Sequence, residues 1–217
     1  MRIRFAAASA VICAASAFGQ TFVESGDAPQ LLPGQSTGSG PLTQIQGDAT
    51  GGDVDMFAIN IDNPAGFAAG VTVAGGTADT QLFLFDTSGH GVTFDDDAQV
   101  LSRRFGLRSL MLGRNGAVPA AGLYYLAISG YDDDPVDSSG QEIWLDSPFD
   151  AQRAPDGPGA ANALASWLPG LNPSGLTNYT IELRGASAAG GAPRPAPEPS
   201  TLIAATLGGL MFIRRRR

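Results

Sequence analysis

Apolar residues recur at every second position in several short runs of this chain, the spacing of strands buried on one face. Phe57, Ile59 and Ile61 share one face of residues 53–61, and Val71 and Val73 share one face of 70–74. Tyr124, Leu126 and Ile128 do the same in 123–129, as do Tyr179, Ile181 and Leu183 in 178–184. Residues 79–86 differ, because Leu82 and Leu84 point one way while Phe83 and Phe85 point the other. A strand apolar on both faces belongs in the middle of a sandwich or beneath a covering loop. After a turn at 87–91, residues 92–94 begin a return strand that ends at Asp95, Asp96 and Asp97. Phe105, Leu107, Leu110 and Leu112 fit a strand or one helical turn, and a strand is expected over 103–112.

Turn chemistry separates these runs. Asn63-Pro64-Ala65-Gly66, Gly75-Gly76 and Pro119-Ala120-Ala121-Gly122 each break the periodicity. With 29 glycines and 15 prolines among many short apolar runs, the pattern predicts an all-β fold, an antiparallel β-sandwich of jelly-roll-like arrangement. Helices are expected only at the two ends and in one short stretch around 160–167. That stretch lies in a loop-rich insertion, 130–176, whose large apolar anchors are Trp144 and Trp167. Residues 20–46 are polar and rich in Gly, Pro and Ser. They read as a flexible leader with at most one edge strand near 21–24. Residues 186–196 read as a Gly/Ala/Pro linker.

The ends follow another pattern. Arg2 and Arg4 precede an apolar, small-residue run over 5–18, and Ala15-Ser16-Ala17 or Ala17-Phe18-Gly19 supplies a small-x-small cleavage site. Residues 1–19 therefore read as a secretory signal peptide, the substrate of signal peptidase. Cys13 lies inside it behind the bulky Ile12, which does not suit a lipoprotein cysteine. The processed chain then has no cysteine, hence neither disulfides nor a thiol nucleophile. At the other end Pro197 and Pro199 hold Glu198 in an extended segment. Residues 201–213 carry no charge, and Arg214, Arg215, Arg216 and Arg217 follow. As a helix, 201–213 span about 20 Å, short of the roughly 30 Å hydrocarbon core. Arginines after an apolar run stay on the cytoplasmic side. The segment is thus expected to be a transient sorting helix rather than a permanent anchor.

Residues 197–217 resemble the PEP-CTERM sorting signal of Gram-negative bacteria, on Pro197-Glu198-Pro199, the short apolar span and the terminal arginines. The resemblance implies recognition by an exosortase-type membrane protease, cleavage near Pro-Glu-Pro and passage through the inner membrane. It also implies delivery to the cell surface or extracellular matrix. A second resemblance rests on Gly52-Asp53-Val54-Asp55-Met56-Phe57, Asp79-Thr80-Gln81-Leu82-Phe83-Leu84-Phe85-Asp86, Gly122-Leu123-Tyr124-Tyr125-Leu126-Ala127-Ile128-Ser129-Gly130 and Tyr179-Thr180-Ile181-Glu182-Leu183. In that order they resemble the bacterial pre-peptidase C-terminal domain, a β-sandwich appended to secreted proteases and found in many surface proteins. The likeness covers 47–185 and departs from the family in the long 130–176 segment.

Charge narrows the function. The chain has no lysine, and six of its 13 basic residues are the arginines of the two ends. Of the 21 acidic residues all but Glu198 lie between those ends, against seven arginines. Such a surface repels nucleic acid and attracts cations. Calcium is the sharpest candidate, since a hard cation wants six to eight oxygens from carboxylates and carbonyls. Asp53 and Asp55 are two apart at a strand entrance and are expected on one face. Asp95, Asp96 and Asp97 follow a strand, as do Asp132, Asp133 and Asp134. Some domains of the family bind calcium near the first-strand aspartates, which the resemblance maps to Asp53 and Asp55.

Catalysis finds little support. His90 is the single histidine, so sites needing two are excluded. Gly34-Gln35-Ser36-Thr37-Gly38 matches the nucleophile-elbow spelling, but Pro33 before it and Ser39-Gly40-Pro41 after it deny the strand and helix an elbow requires. Paired carboxylates are abundant, yet nothing marks an aromatic-lined sugar cleft. Asn178-Tyr179-Thr180 matches a glycosylation sequon inside a strand. The expectation is a non-catalytic surface or matrix protein acting as a binding or structural module. The alternatives are a module for an extracellular polysaccharide or matrix protein, accessory to a secreted hydrolase, and a hydrolase itself. In the accessory reading Tyr124, Tyr125, Tyr131, Trp144 and Trp167 would stack on the partner.

Overall fold

The computed structural model describes residues 19–50, 52–73, 79–97, 109–170 and 176–190. The signal segment 1–18, most of the 103–112 run and everything from 191 onward, including the sorting motif, lie outside the described residues. Among the described residues the chain forms β1 (Gln20–Val23), β2 (Gln35–Ser36), β3 (Leu42–Ala49), β4 (Asp55–Ile61), β5 (Ala68–Val73), β6 (Thr80–Phe85) and β7 (Gly91–Asp95). It continues with β8 (Leu110–Leu112), β9 (Gly122–Gly130), β10 (Asp134–Val136), β11 (Ser166–Leu168), β12 (Leu176–Arg184) and β13 (Ala186–Ala188).

Two open sheets face each other. The first runs β1-β3-β12-β5-β8 and the second β13-β4-β9-β6-β7, with β2 also pairing β4. Pairing is antiparallel except for β1 with β3 and β2 with β4, which are parallel. The period-two patterns explain the sandwich. Ile45, Val71, Tyr179 and Ile181 from the first sheet meet Phe57, Ile59, Leu82, Leu84, Leu126 and Ile128 from the second in one buried core. Each such Ile, Leu or Val side chain contributes about 1.5–3 kcal/mol through burial.

The outer face of the second sheet is also apolar, as the doubled pattern of residues 79–86 requires. Met56, Phe83, Phe85, Phe94, Tyr125 and Ala127 form a second cluster there with Ile143 and Trp144, against which Leu164 and Trp167 pack. Trp144 and Trp167 lie 5.6 and 5.2 Å, centroid to centroid, from Phe83. The insertion is therefore a third layer that seals this face, tied back by the small sheet of β10 and β11.

Three sequence expectations need correction. Residues 20–46 are not a flexible leader, because β1 edges the first sheet, β2 joins the second, and Phe22 packs edge-on to Phe57 at 6.0 Å. Residues 186–190 belong to the domain rather than to a linker. β13 pairs with β4, and Ala186, Ala188 and Ala189 are buried. The expected helix around 160–167 is a turn running into β11. Gly157 and Gly159 bear on the last point: an added Cβ would strike the Glu142 and Ile143 backbone at the first and the Gln141 and Glu142 backbone at the second, so the chain entering this stretch lies flat on its neighbour. Of the 103–112 run, the described part, Leu110–Leu112, is strand.

Candidate metal centre

On β4 the core-facing row Phe57, Ile59, Ile61 begins with Asp55, so alternation buries a carboxylate at one end of the sandwich. From the opposite sheet Tyr179 donates its hydroxyl to Asp55 Oδ2 at 2.5 Å. Asp55 is 0% exposed, and its Oδ1 is buried without a hydrogen-bond partner. One carboxylate oxygen each from Glu24, Asp27 and Asp55 gather within 4.8 Å of one another. Glu24 is fixed by the Ala28 and Asp48 amides, which donate to it at 2.8 and 3.0 Å. Asp53 stands beside the group, and its Oδ1 accepts from Gln30 and Val54, each at 2.9 Å. Burial pushes the Asp55 carboxyl up to about 8 against the opposing Tyr179 bond, and the charges of Glu24, Asp53 and Asp27 push the same way. A hydrogen bond to Asp53, together with its charge, raises Asp27. The group opens into a cleft of about 860 Å³ lined by Glu24, Asp27, Asp48, Asp53 and Tyr179.

A second group lies at the open end of the β6–β7 hairpin. Leu82 pairs with Asp95, so Asp79, just before β6, comes level with the residues just after β7. One oxygen each from Asp79, Asp96 and Asp97 lie within 4.8 Å of one another. All three side chains have a buried Oδ1 with no hydrogen-bond partner. Burial raises Asp79 to about 6 and Asp96 to about 8, each further raised by its acidic neighbours. Asp95 does not join them. It points to the other side of the strand, where its Oδ1 accepts from the Leu110 amide at 2.7 Å.

Other residues flagged by the sequence have local roles. Asp134 groups with Glu142 and Asp146 within 4.8 Å, while Asp133 Oδ1 accepts from the Gly170 amide at 3.1 Å. Asp132 sits in a left-handed turn at φ 66°. Tyr124, Tyr125 and Trp144 are buried in the two cores, leaving Tyr131, at 52% exposed, as the most open of the proposed stacking rings. The His90 amide donates to Asp86 Oδ1 at 3.0 Å in their shared turn. Ser36 donates its hydroxyl to the Ala189 carbonyl at 3.1 Å.

Sequence reasoning missed Glu24, Asp27, Asp79, Glu142 and Asp146. Glu24 and Asp27 were hidden by the polar composition around them. Asp79 had a usable signal: folding 79–86 against 91–97 as a hairpin brings it to Asp96 and Asp97. The first two groups offer hard oxygen donors without sulfur or imidazole, which suits calcium rather than zinc or copper.

No family model matches the chain, and neither a curated protein nor a solved structure matches it. Among the described residues no helix is long and apolar enough to cross a membrane.

Proposed function

We propose that this is an exported surface or matrix protein, processed by signal peptidase and an exosortase-type protease. Its sandwich serves as a non-catalytic binding or structural module stabilised by calcium at Glu24, Asp27, Asp53 and Asp55. The carrying observation is Asp55: a fully buried carboxylate with a bare Oδ1 beside two further carboxylates. A buried unpaired carboxylate is costly unless a cation or a proton neutralises it. The resemblance of the first-strand aspartates to those of calcium-binding pre-peptidase C-terminal domains supports the same reading. Glu24 follows β1 directly and Asp27 comes three residues later, so the ion would join the first strand of the sandwich to β4 and, through Tyr179, to β12.

The route rests on the sequence of the two ends, and the non-catalytic role on the single histidine and on Ser36, whose hydroxyl is given to the distant Ala189 carbonyl. Melting of the purified protein in calcium and in EDTA tests the site. A rise of several degrees in calcium, reduced in Asp55→Asn, is expected, and a rise equally large in Asp55→Asn, or no rise at all, overturns it. Mass spectrometry of protein released from the native cell tests the route. Loss of Arg214 to Arg217 is expected, and retention of the four arginines overturns it.

A further inference from the structure

We infer that Asp79, Asp96 and Asp97 form a second site for a hard divalent cation, of calcium type, independent of the site at Asp55. A cluster of acidic side chains is common on a protein surface, but this one is not a solvated patch. Asp96 is 4% exposed, and its Oδ1, sealed from solvent, has no donor to satisfy it. Asp79 and Asp97, half-buried beside it, each have a buried bare Oδ1 as well. Three converging carboxylates, each with a buried bare oxygen, need a shared positive partner.

The spacing fits an ion better than shared protons. Oxygens bound to one calcium at about 2.3–2.6 Å lie no more than about 5 Å apart, and the three carboxylates converge within 4.8 Å. Carboxyls sharing a proton would close to hydrogen-bond distance, about 2.5–2.7 Å, whereas Asp79, Asp96 and Asp97 act on one another through charge and not through a hydrogen bond. Asp134, Glu142 and Asp146 form a similar group, but none of them has a buried oxygen without a partner, and they carry no such inference.

The location gives the ion a role. β6 and β7 are joined at one end by the turn at Asp86–Gly89, whose Gly89 amide donates to Asp86 at 3.0 Å. At the other end Asp79 enters β6 and Asp96 and Asp97 leave β7, with no covalent link between them. An ion there pins the open end of the hairpin. It also holds the insertion, because the Asp97 amide donates to the Phe149 carbonyl at 3.0 Å.

Counting calcium bound per chain, by equilibrium dialysis and elemental mass spectrometry at neutral pH, tests this. Asp96→Asn should bind one ion fewer than the unaltered protein and keep the ion that Asp55→Asn loses. Asp55→Asn should show the reverse, so failure of either site is read separately from failure of the other. Should Asp96→Asn not fold, Asp79→Asn and Asp97→Asn, at half-buried positions, carry the same readout. A count equal to that of the unaltered protein in folded variants at these positions overturns the site.

Discussion

Asp55 and Tyr179 meet where the two sheets close on each other, and the cost of that meeting depends on what else the carboxylate can bind. The tyrosine hydroxyl satisfies one oxygen at 2.5 Å and leaves the other bare. Removing the hydroxyl by Tyr179→Phe strands both oxygens in a dry interior. The expected loss is about 1–3 kcal/mol, the penalty of an unsatisfied buried polar group, read by urea denaturation in EDTA. A nearby glycine makes a sharper test of the site itself. A Cβ at Gly47 would fall against the Glu24 carboxylate and the Tyr179 hydroxyl, and 2.8 Å from Tyr179 Cζ. Glu24 can swing away, but the buried Tyr179 ring cannot do so without disturbing the core. Gly47→Ala should therefore weaken calcium binding at the Asp55 site roughly tenfold, about 1.4 kcal/mol, while leaving the Asp96 site unchanged. Calorimetric titration checks this, and equal weakening of both sites would point to general unfolding instead.

At the scale of elements, the insertion is best understood as the cover of β6. Trp144 is 2% exposed and packs on Phe83, Phe85 and Phe94 at 5.6, 5.6 and 5.8 Å. Arg153 lies over Phe94 at 5.3 Å and bonds Asp156 and the Ser147 carbonyl, which stiffens the cover. Trp144→Ala should cost about 3–5 kcal/mol as a large aromatic cavity. Trp144→Phe should cost less, because the indole Nε1 has no partner to lose. Trp167 is only half-buried and donates to the Gln30 carbonyl at 2.7 Å, so Trp167→Ala should fall below Trp144→Ala in the same denaturant titration. The doubled pattern at Leu82, Phe83, Leu84 and Phe85 made a cover on this strand one of two readings of the sequence, and the packing of Trp144 and Trp167 on Phe83 identifies the insertion as that cover. β2 and β13 were not legible for the opposite reason. They are two and three residues of small or polar side chains, held to β4 by main-chain pairing that leaves no periodicity. The acidic sites were half legible: Asp55, Asp96 and Asp97 stood out as charges at strand ends, whereas their partners came from register and from a segment read as leader.

Across the whole molecule these carboxylates link stability to pH and to calcium with opposite signs. In the cation-free protein burial raises Asp79 to about 6, Asp95 to about 7, Asp134 to about 7, and Asp55 and Asp96 to about 8. An unfolded aspartate titrates near about 3.9. Between those values the folded state holds more protons than the unfolded one, so stability falls as pH rises. Their contribution is complete below about pH 4 and is lost progressively as pH climbs through 6 to 8. Calcium takes the deprotonated form, so it competes with protons and acts most strongly where the apo protein is weakest. At a hundred times its dissociation constant each ion would add about 2.7 kcal/mol. The gap between melting temperatures in calcium and in EDTA should therefore widen steadily from pH 5 to pH 8. Asp95 keeps its own partner in the Leu110 amide, so a shallow decline with pH should persist even in saturating calcium. Sodium chloride at matched ionic strength screens general repulsion but fills no site, and it should not reproduce the gap. A gap of constant size across this range, or one that sodium chloride reproduces, would mean that the ions act only as a screening atmosphere around an acidic protein.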